Sequence, residues 1–166
     1  VKLIAELDGE HWETIVGDRA KAYANTAGPI VIHGKVVQGL CGCDRYGNDG
    51  CYISAYDAAT GKQIWKTYTI TEQPAPTKKN AIGTQLYGPS GVGVWSSPAI
   101  DPVKNILYAT TGDNYSAPAS NMSDAFIALD RDTGKILWAK QMTAGDAWNT
   151  ACRMADKTNC PDDKAP

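Results

Sequence analysis

The 166-residue chain contains one phenylalanine and two histidines, and nothing in it approaches the roughly 20 apolar residues of a membrane-spanning helix. Apolar stretches such as Ile30-Val31-Ile32 are strand-sized, so no membrane span is expected. An excess of one charge is equally lacking. Sixteen Lys and Arg face eighteen Asp and Glu, without a block of five like charges, and the net charge of −2 gives no field to hold a polyanion. Nucleic acid is excluded as an expected partner. There is no Cys-x-x-Cys-His haem attachment, and no long window carries a sustained 3.6-residue period. No signal peptide is visible, since the chain opens on Val1 with a charged, amphipathic segment; it reads as a processed chain or a piece of a longer one.

What is present is the composition of a folded protein, 43% apolar and 20% charged. Five Trp and eight Tyr carry most of the aromatic surface, each ring with a polar atom that needs a partner. Sixteen Gly and nine Pro supply abundant turns, and five Cys favour an oxidising compartment while leaving one thiol over.

An internal repeat sets the organisation. Ile53-Ser-Ala-Tyr-Asp-Ala-Ala-Thr-Gly-Lys-Gln-Ile-Trp65 and Ile127-Ala-Leu-Asp-Arg-Asp-Thr-Gly-Lys-Ile-Leu-Trp138 share the core Ala-x-Asp-x-x-Thr-Gly-Lys-x-x-Trp, their tryptophans 73 residues apart. A worn third copy opens the chain, from Ile4-Ala-Glu-Leu-Asp8 to Trp12. The residues before Asp57 and Asp130 alternate as a half-buried strand does. The Asp is expected to accept backbone hydrogen bonds, Gly61 or Gly134 to take a positive φ, and the return strand to begin before a core Trp. Such a unit predicts an all-β fold of radially stacked four-stranded sheets, with blade repeats near 4–12, 53–65 and 127–138. Gly28 to Gly39 reads as strand, His33-Gly34 turn, strand, and Trp95 to Gly112 repeats that pattern around Pro102–Asn105. Residues 74–89 and 116–124 read as long connections, where function concentrates.

With this repeat in view, the chain resembles the pyrroloquinoline-quinone (PQQ) dependent alcohol dehydrogenases, whose catalytic subunit is an eight-bladed β-propeller with tryptophan-docking motifs of this kind. The subgroup it most resembles is the polyvinyl-alcohol-dehydrogenase-like quinoproteins. The residues behind that are Leu86-Tyr-Gly-Pro-Ser-Gly-Val-Gly-Val-Trp-Ser-Ser-Pro98, Thr111-Gly-Asp-Asn-Tyr-Ser116 and Thr143-Ala-Gly-Asp-Ala-Trp-Asn149. Eight blades at this period need several hundred residues, so the resemblance implies an internal portion of two to three blades. The remainder of its own propeller is then its first partner.

The resemblance also assigns residues. Trp95, behind Gly91, Gly93 and Val94, matches the tryptophan that forms the floor beneath the quinone; Thr26 matches a threonine that hydrogen-bonds the cofactor. Asp44 and Asp113 fall at the family's acidic and Thr-Gly-Asn metal positions. Their carboxylates, with Asn114 nearby, suit Ca²⁺; a lanthanide is the lesser alternative, which an additional Asp near the family's base would mark. The family base follows an Asp-x-Trp segment; here that place is Asp146-Ala-Trp148-Asn149, and an amide is no base. The base is therefore expected beyond Pro166, with Asp146 as the lesser candidate. Cys43 with Cys51, and Cys152 with Cys160, bracket short loops and are expected to pair, as suits a periplasmic or secreted protein. The nearest counterpart of the family's adjacent cysteine pair is Cys41-Gly-Cys43. Metal binding by Cys41, Cys43 and Cys51 lacks zinc spacing, and His11 and His33 sit in turn-like settings. The implied reaction is oxidation of a small primary or secondary alcohol, with electrons leaving toward a c-type cytochrome. The other reading is a propeller that kept the fold as a scaffold and lost the chemistry; Asn149 favours it.

Overall fold

The computed structural model describes residues 1–7, 10–43 and 50–161. A hairpin of β1 (Lys2–Leu7) and β2 (Glu10–Ile15) is followed by a 3-10 turn at Arg19–Lys21. The first four-stranded antiparallel sheet takes β3 (Ile30–Ile32), β4 (Lys35–Gly39), β5 (Tyr52–Asp57) and β6 (Gln63–Tyr68) in chain order. After it come the hairpin β7 (Ala75–Lys79) and β8 (Gln85–Gly88), then β9 (Ser90–Gly91). The second sheet is β10 (Ala99–Asp101), β11 (Ile106–Thr110), β13 (Ala125–Asp130) and β14 (Ile136–Gln141), while the short β12 (Asn114–Ser116) leaves it to pair with β9. A 3-10 turn at Thr150–Arg153 follows. None of the described helices is long and apolar enough to cross a membrane.

Local chemistry fixes the corners. His33 and Gly34 both take positive φ, the geometry of a two-residue hairpin turn. The Asp57 carboxylate accepts from the amides of Ala59 and Thr60 and from the Thr60 hydroxyl. Asp130 repeats this with Asp132 and Thr133. Gly61 and Gly134 close these turns at φ 69° and 71°.

The turns then receive tryptophans from the preceding sheet. Trp12 on β2 donates from its indole nitrogen to Ala58 O at 2.8 Å, and Thr14 donates to Gly61 O at 2.7 Å. One layer on, Trp65 donates to Arg131 O at 2.9 Å and Thr67 to Gly134 O at 2.7 Å. A Cβ on either glycine would lie 2.5 Å from the indole it supports. Cores fill the space between layers: Leu3, Val16, Val36 and Tyr52 on one side of the first sheet, and Val37, Ile53, Trp65, Leu107 and Ile127 on the other. Strands β4 and β5 are buried on both faces, as inner layers of a stack must be.

Two expectations are corrected. Trp138 is not a core residue in this chain: 46% of it is exposed, and the Tyr108 ring leans on it from 6.0 Å. Among the described residues, no Asp-x-x-Thr-Gly turn reaches that face. Residues 74–89 are not an open connection but contain β7 and β8, paired through Ala75–Gly88 and Pro76–Tyr87. Every residue of β7 is exposed, so it carries none of the alternation by which a strand is recognised.

Candidate functional site

At one end of the two sheets, three backbone segments converge because glycines let them. A Cβ on Gly39 would meet Val94 O at 2.5 Å, one on Gly93 would meet Cys41 Cβ at 3.0 Å, and one on Gly112 would meet the Trp95 indole nitrogen at 2.9 Å. Val94 N donates to Leu40 O and Gly112 N to Gly93 O, which ties the segment carrying Trp95 to both sheets. The indole therefore lies against bare backbone at Gly112 while 58% of Trp95 is exposed, more than any other tryptophan here. Thr26, also exposed, donates to Trp95 O at 3.2 Å and lies 3.8 Å from the Cys41 thiol. The exposed Trp95 ring thus forms a flat aromatic shelf, with Thr26 exposed beside its backbone carbonyl, while the sequence-expected Gly93 is buried in the segment that carries the ring. That arrangement fits a planar cofactor.

Asp113 follows β11 and the Thr111-Gly112 pair, and it is half-buried. Burial, and then the Asp146 carboxylate, push its pKa up. Asp124 was not singled out in the sequence, yet it stands beside both. Burial first, then a hydrogen bond with Asp146 and the charges of Asp146 and Asp113, push Asp124 up to about 7. Apart from a proton shared between the two carboxyls, no donor among the described residues reaches Asp124 Oδ2 or Asp146 Oδ1, and both atoms are buried. Asp124 thus feels two neighbouring carboxylates and Asp113 one, a hard-oxygen environment that a multivalent cation would relieve. Among the described residues, however, no three such side chains are already gathered in coordinating geometry. Asp44 lies outside the described residues. No sequence motif marks Asp124; the β11–β13 register, which pairs Thr110 with Phe126, and the bond from Asp124 N to Gly112 O bring it beside Asp113.

The neighbouring amides are structural. Asn114 is fully buried, donating to Ser90 O and accepting from Ser120 N, so its amide is not free for a metal. Asn149 donates to Tyr115 O at 2.9 Å and to Asn159 O at 3.1 Å, and its oxygen caps the Thr150–Arg153 turn at Ala151 N. A carboxylate there would set acceptors against two carbonyls. Disulfides join Cys43 to Cys51 and Cys152 to Cys160, and Cys41 is a buried thiol that donates to Ala24 O.

Comparison with known proteins agrees with this architecture. Residues 10–155 match the family model of the PQQ glucose/ethanol/alcohol dehydrogenase β-propeller domain. A polyvinylalcohol dehydrogenase of Pseudomonas sp. is 32% identical over the whole chain, which covers 27% of that protein. The quinohemoprotein alcohol dehydrogenase ADH IIB of Pseudomonas putida is 37% identical over 83% of the chain and 22% of its own length. The crystal structure of quinohemoprotein alcohol dehydrogenase ADHIIG from Pseudomonas putida HK5 superposes with a TM-score of 0.64 at 28% identity, covering 85% of this chain and 23% of that one. The chain spans about a quarter of the length of the curated relatives it matches. It belongs to the PQQ-dependent glucose, ethanol and alcohol dehydrogenase family, within the β-propeller domain.

Proposed function

We propose that this chain is the cofactor-shelf portion of a periplasmic or secreted quinoprotein that oxidises primary or secondary alcohols and passes electrons to a c-type cytochrome. The observation that carries this reading is the exposed Trp95 indole held on Gly112, with Thr26 bonded to its carbonyl. PQQ would stack on Trp95 beside Gly93 and Thr26, and as an ortho-quinone it would supply the two-electron acceptor. Asp113 and Asp44 would hold Ca²⁺, whose charge polarises an oxygen that the protein alone leaves neutral. The Asp146 carboxylate would tune Asp113 by its charge. The substrate class agrees with relatives named for polyvinyl alcohol and for alcohols generally.

Proton abstraction needs a carboxylate, and the committed amide of Asn149 is not one. We assign the base to the part of the propeller beyond Pro166, with Asp146 as the alternative inside this chain. The same amide favours a second reading, a non-catalytic propeller scaffold. Reconstitution of the complete protein with PQQ and Ca²⁺ decides between them. Alcohol-dependent dye reduction together with quenching of tryptophan fluorescence supports the dehydrogenase. Quinone that neither binds nor turns over leaves the scaffold.

A further inference from the structure

Strand β4 carries a residue at odds with its surroundings. Gln38 lies between Val37 and Gly39 with no exposed surface, at an inner position of a central strand where an apolar side chain is the ordinary occupant. Burying an amide is costly unless it is bonded, so each of its bonds has to be accounted for. Its Nε2 donates one hydrogen to Gly39 O at 2.6 Å and the other to Asn25 Oδ1 at 2.7 Å, with Ala27 O at 3.4 Å as a weaker third acceptor sharing one of them. Three acceptors fix which end of the amide is nitrogen, and Oε1 is left without a partner among the described residues. An apolar side chain of the same size would avoid that orphan acceptor, so stability alone does not explain the amide.

The two outward bonds bracket Thr26. The segment 24–28 runs alongside the end of β4 outside any regular strand and is held residue by residue. Ala24 exchanges backbone hydrogen bonds with Cys41, Asn25 and Ala27 accept from Gln38, and Gly28 O accepts from the Ser97 hydroxyl at 2.9 Å. Thr26 is the residue in the middle, and its hydroxyl is aimed at Trp95 O. We propose that Gln38 is a positioning residue for the quinone site: through Asn25 and Ala27 it sets the place of the Thr26 hydroxyl at the margin of the Trp95 shelf. This rests on the reading of Trp95 and Thr26 as the cofactor surface. Gln38 itself, wholly buried, touches no cofactor.

The test is a double-mutant cycle on PQQ affinity in the complete protein, freed of quinone and titrated with PQQ in saturating Ca²⁺ by tryptophan quenching. Gln38→Met keeps the size and removes the donors; Thr26→Val removes the hydroxyl. Each is expected to raise the PQQ Kd about 10-fold, and the pair about 10-fold as well, not the ~100-fold of independent sites. Asn25→Ala, at a half-buried position that does not endanger folding, is expected to reproduce the Gln38→Met loss. Wild-type affinity in Gln38→Met or Asn25→Ala, whatever happens to Tm, overturns the proposal, as does a multiplicative double variant. Failure of the wild-type protein to bind PQQ overturns instead the shelf reading on which the proposal stands.

Discussion

Asp124 sits at φ 45° at the start of β13, a left-handed position unusual for a side-chain-bearing residue, and faces two other carboxylates. Its pKa of about 7 stands above the 3.8 of an unperturbed aspartate, so the folded chain holds a proton there that the unfolded chain releases. The sign follows. Stability contributed by this group is present below about pH 4, drains away as pH rises toward 7, and above that the ionised pair costs energy. Asp124→Asn is expected to stabilise the metal-free protein by about 1–2 kcal/mol at pH 8, less than the full shift because solvent reaches the pair, and to change little at pH 4. Urea unfolding at the two pH values checks it, and equal effects at both would remove the electrostatic explanation. Asn149 makes the opposite case. Asn149→Asp turns two donated hydrogen bonds into facing acceptors, so a loss of about 2–3 kcal/mol is expected. Alcohol oxidation is not expected to rise, and a gain in turnover would show that Asn149 stands in the place of the base.

At the scale of elements, the docking of a tryptophan on a neighbouring turn is the repeated unit, and its glycine serves twice. Gly134 takes φ 71° and also leaves room for the Trp65 ring, so Gly134→Ala meets backbone strain and a 2.5 Å clash together. A loss of about 3 kcal/mol is expected, against well under 1 kcal/mol for Gly83→Ala's steric share, since nothing lies within 4 Å of that position. Thermal unfolding of the two variants measures the difference. This unit was legible in the sequence because its parts are local: Asp57, Thr60, Gly61 and Trp65 lie within nine residues and each has a stated backbone duty. Trp12 was legible only as a worn copy, though its Nε1 bond to Ala58 has the same form as that of Trp65 to Arg131. Strand β7 was not legible, being exposed along its whole length and tied down by its pairing with β8 and by Lys78 donating to Cys160 O. At the site, Trp95, Thr26 and Asp113 were reached through their motifs. Asp124 and Gln38 were missed because their meaning comes from register and burial, which no short motif encodes. Asn149 was read from the sequence as an amide at the family's base position, while the three bonds that hold it there needed coordinates.

For the whole molecule, the ladder of tryptophans has a direction. Trp12 docks on the turn of Gly61, Trp65 on that of Gly134, and Trp138 presents the same kind of face with no turn against it among the described residues. Phe126, paired with Lys140 and 48% exposed, widens that face. A stacked sheet of this kind is stabilised by its neighbour as much as by its own ladder, and a missing neighbour leaves apolar surface open to association. On the reading of the chain as part of a longer propeller, the next Asp-x-x-Thr-Gly turn covers Trp138. Lys140, standing where Thr14 and Thr67 bond the glycine carbonyl of the other two layers, would serve that bond by an ammonium. Trp138→Ala then separates the two levels of organisation. In the 166-residue chain alone it is expected to change unfolding free energy by under about 1 kcal/mol and to reduce self-association. In the complete protein it is expected to cost about 3–5 kcal/mol, the scale of emptying a buried tryptophan site. Urea unfolding of both forms, with sedimentation of the isolated chain, measures this directly; an equal loss in both would mean that Trp138 works within its own sheet and that the ladder ends there.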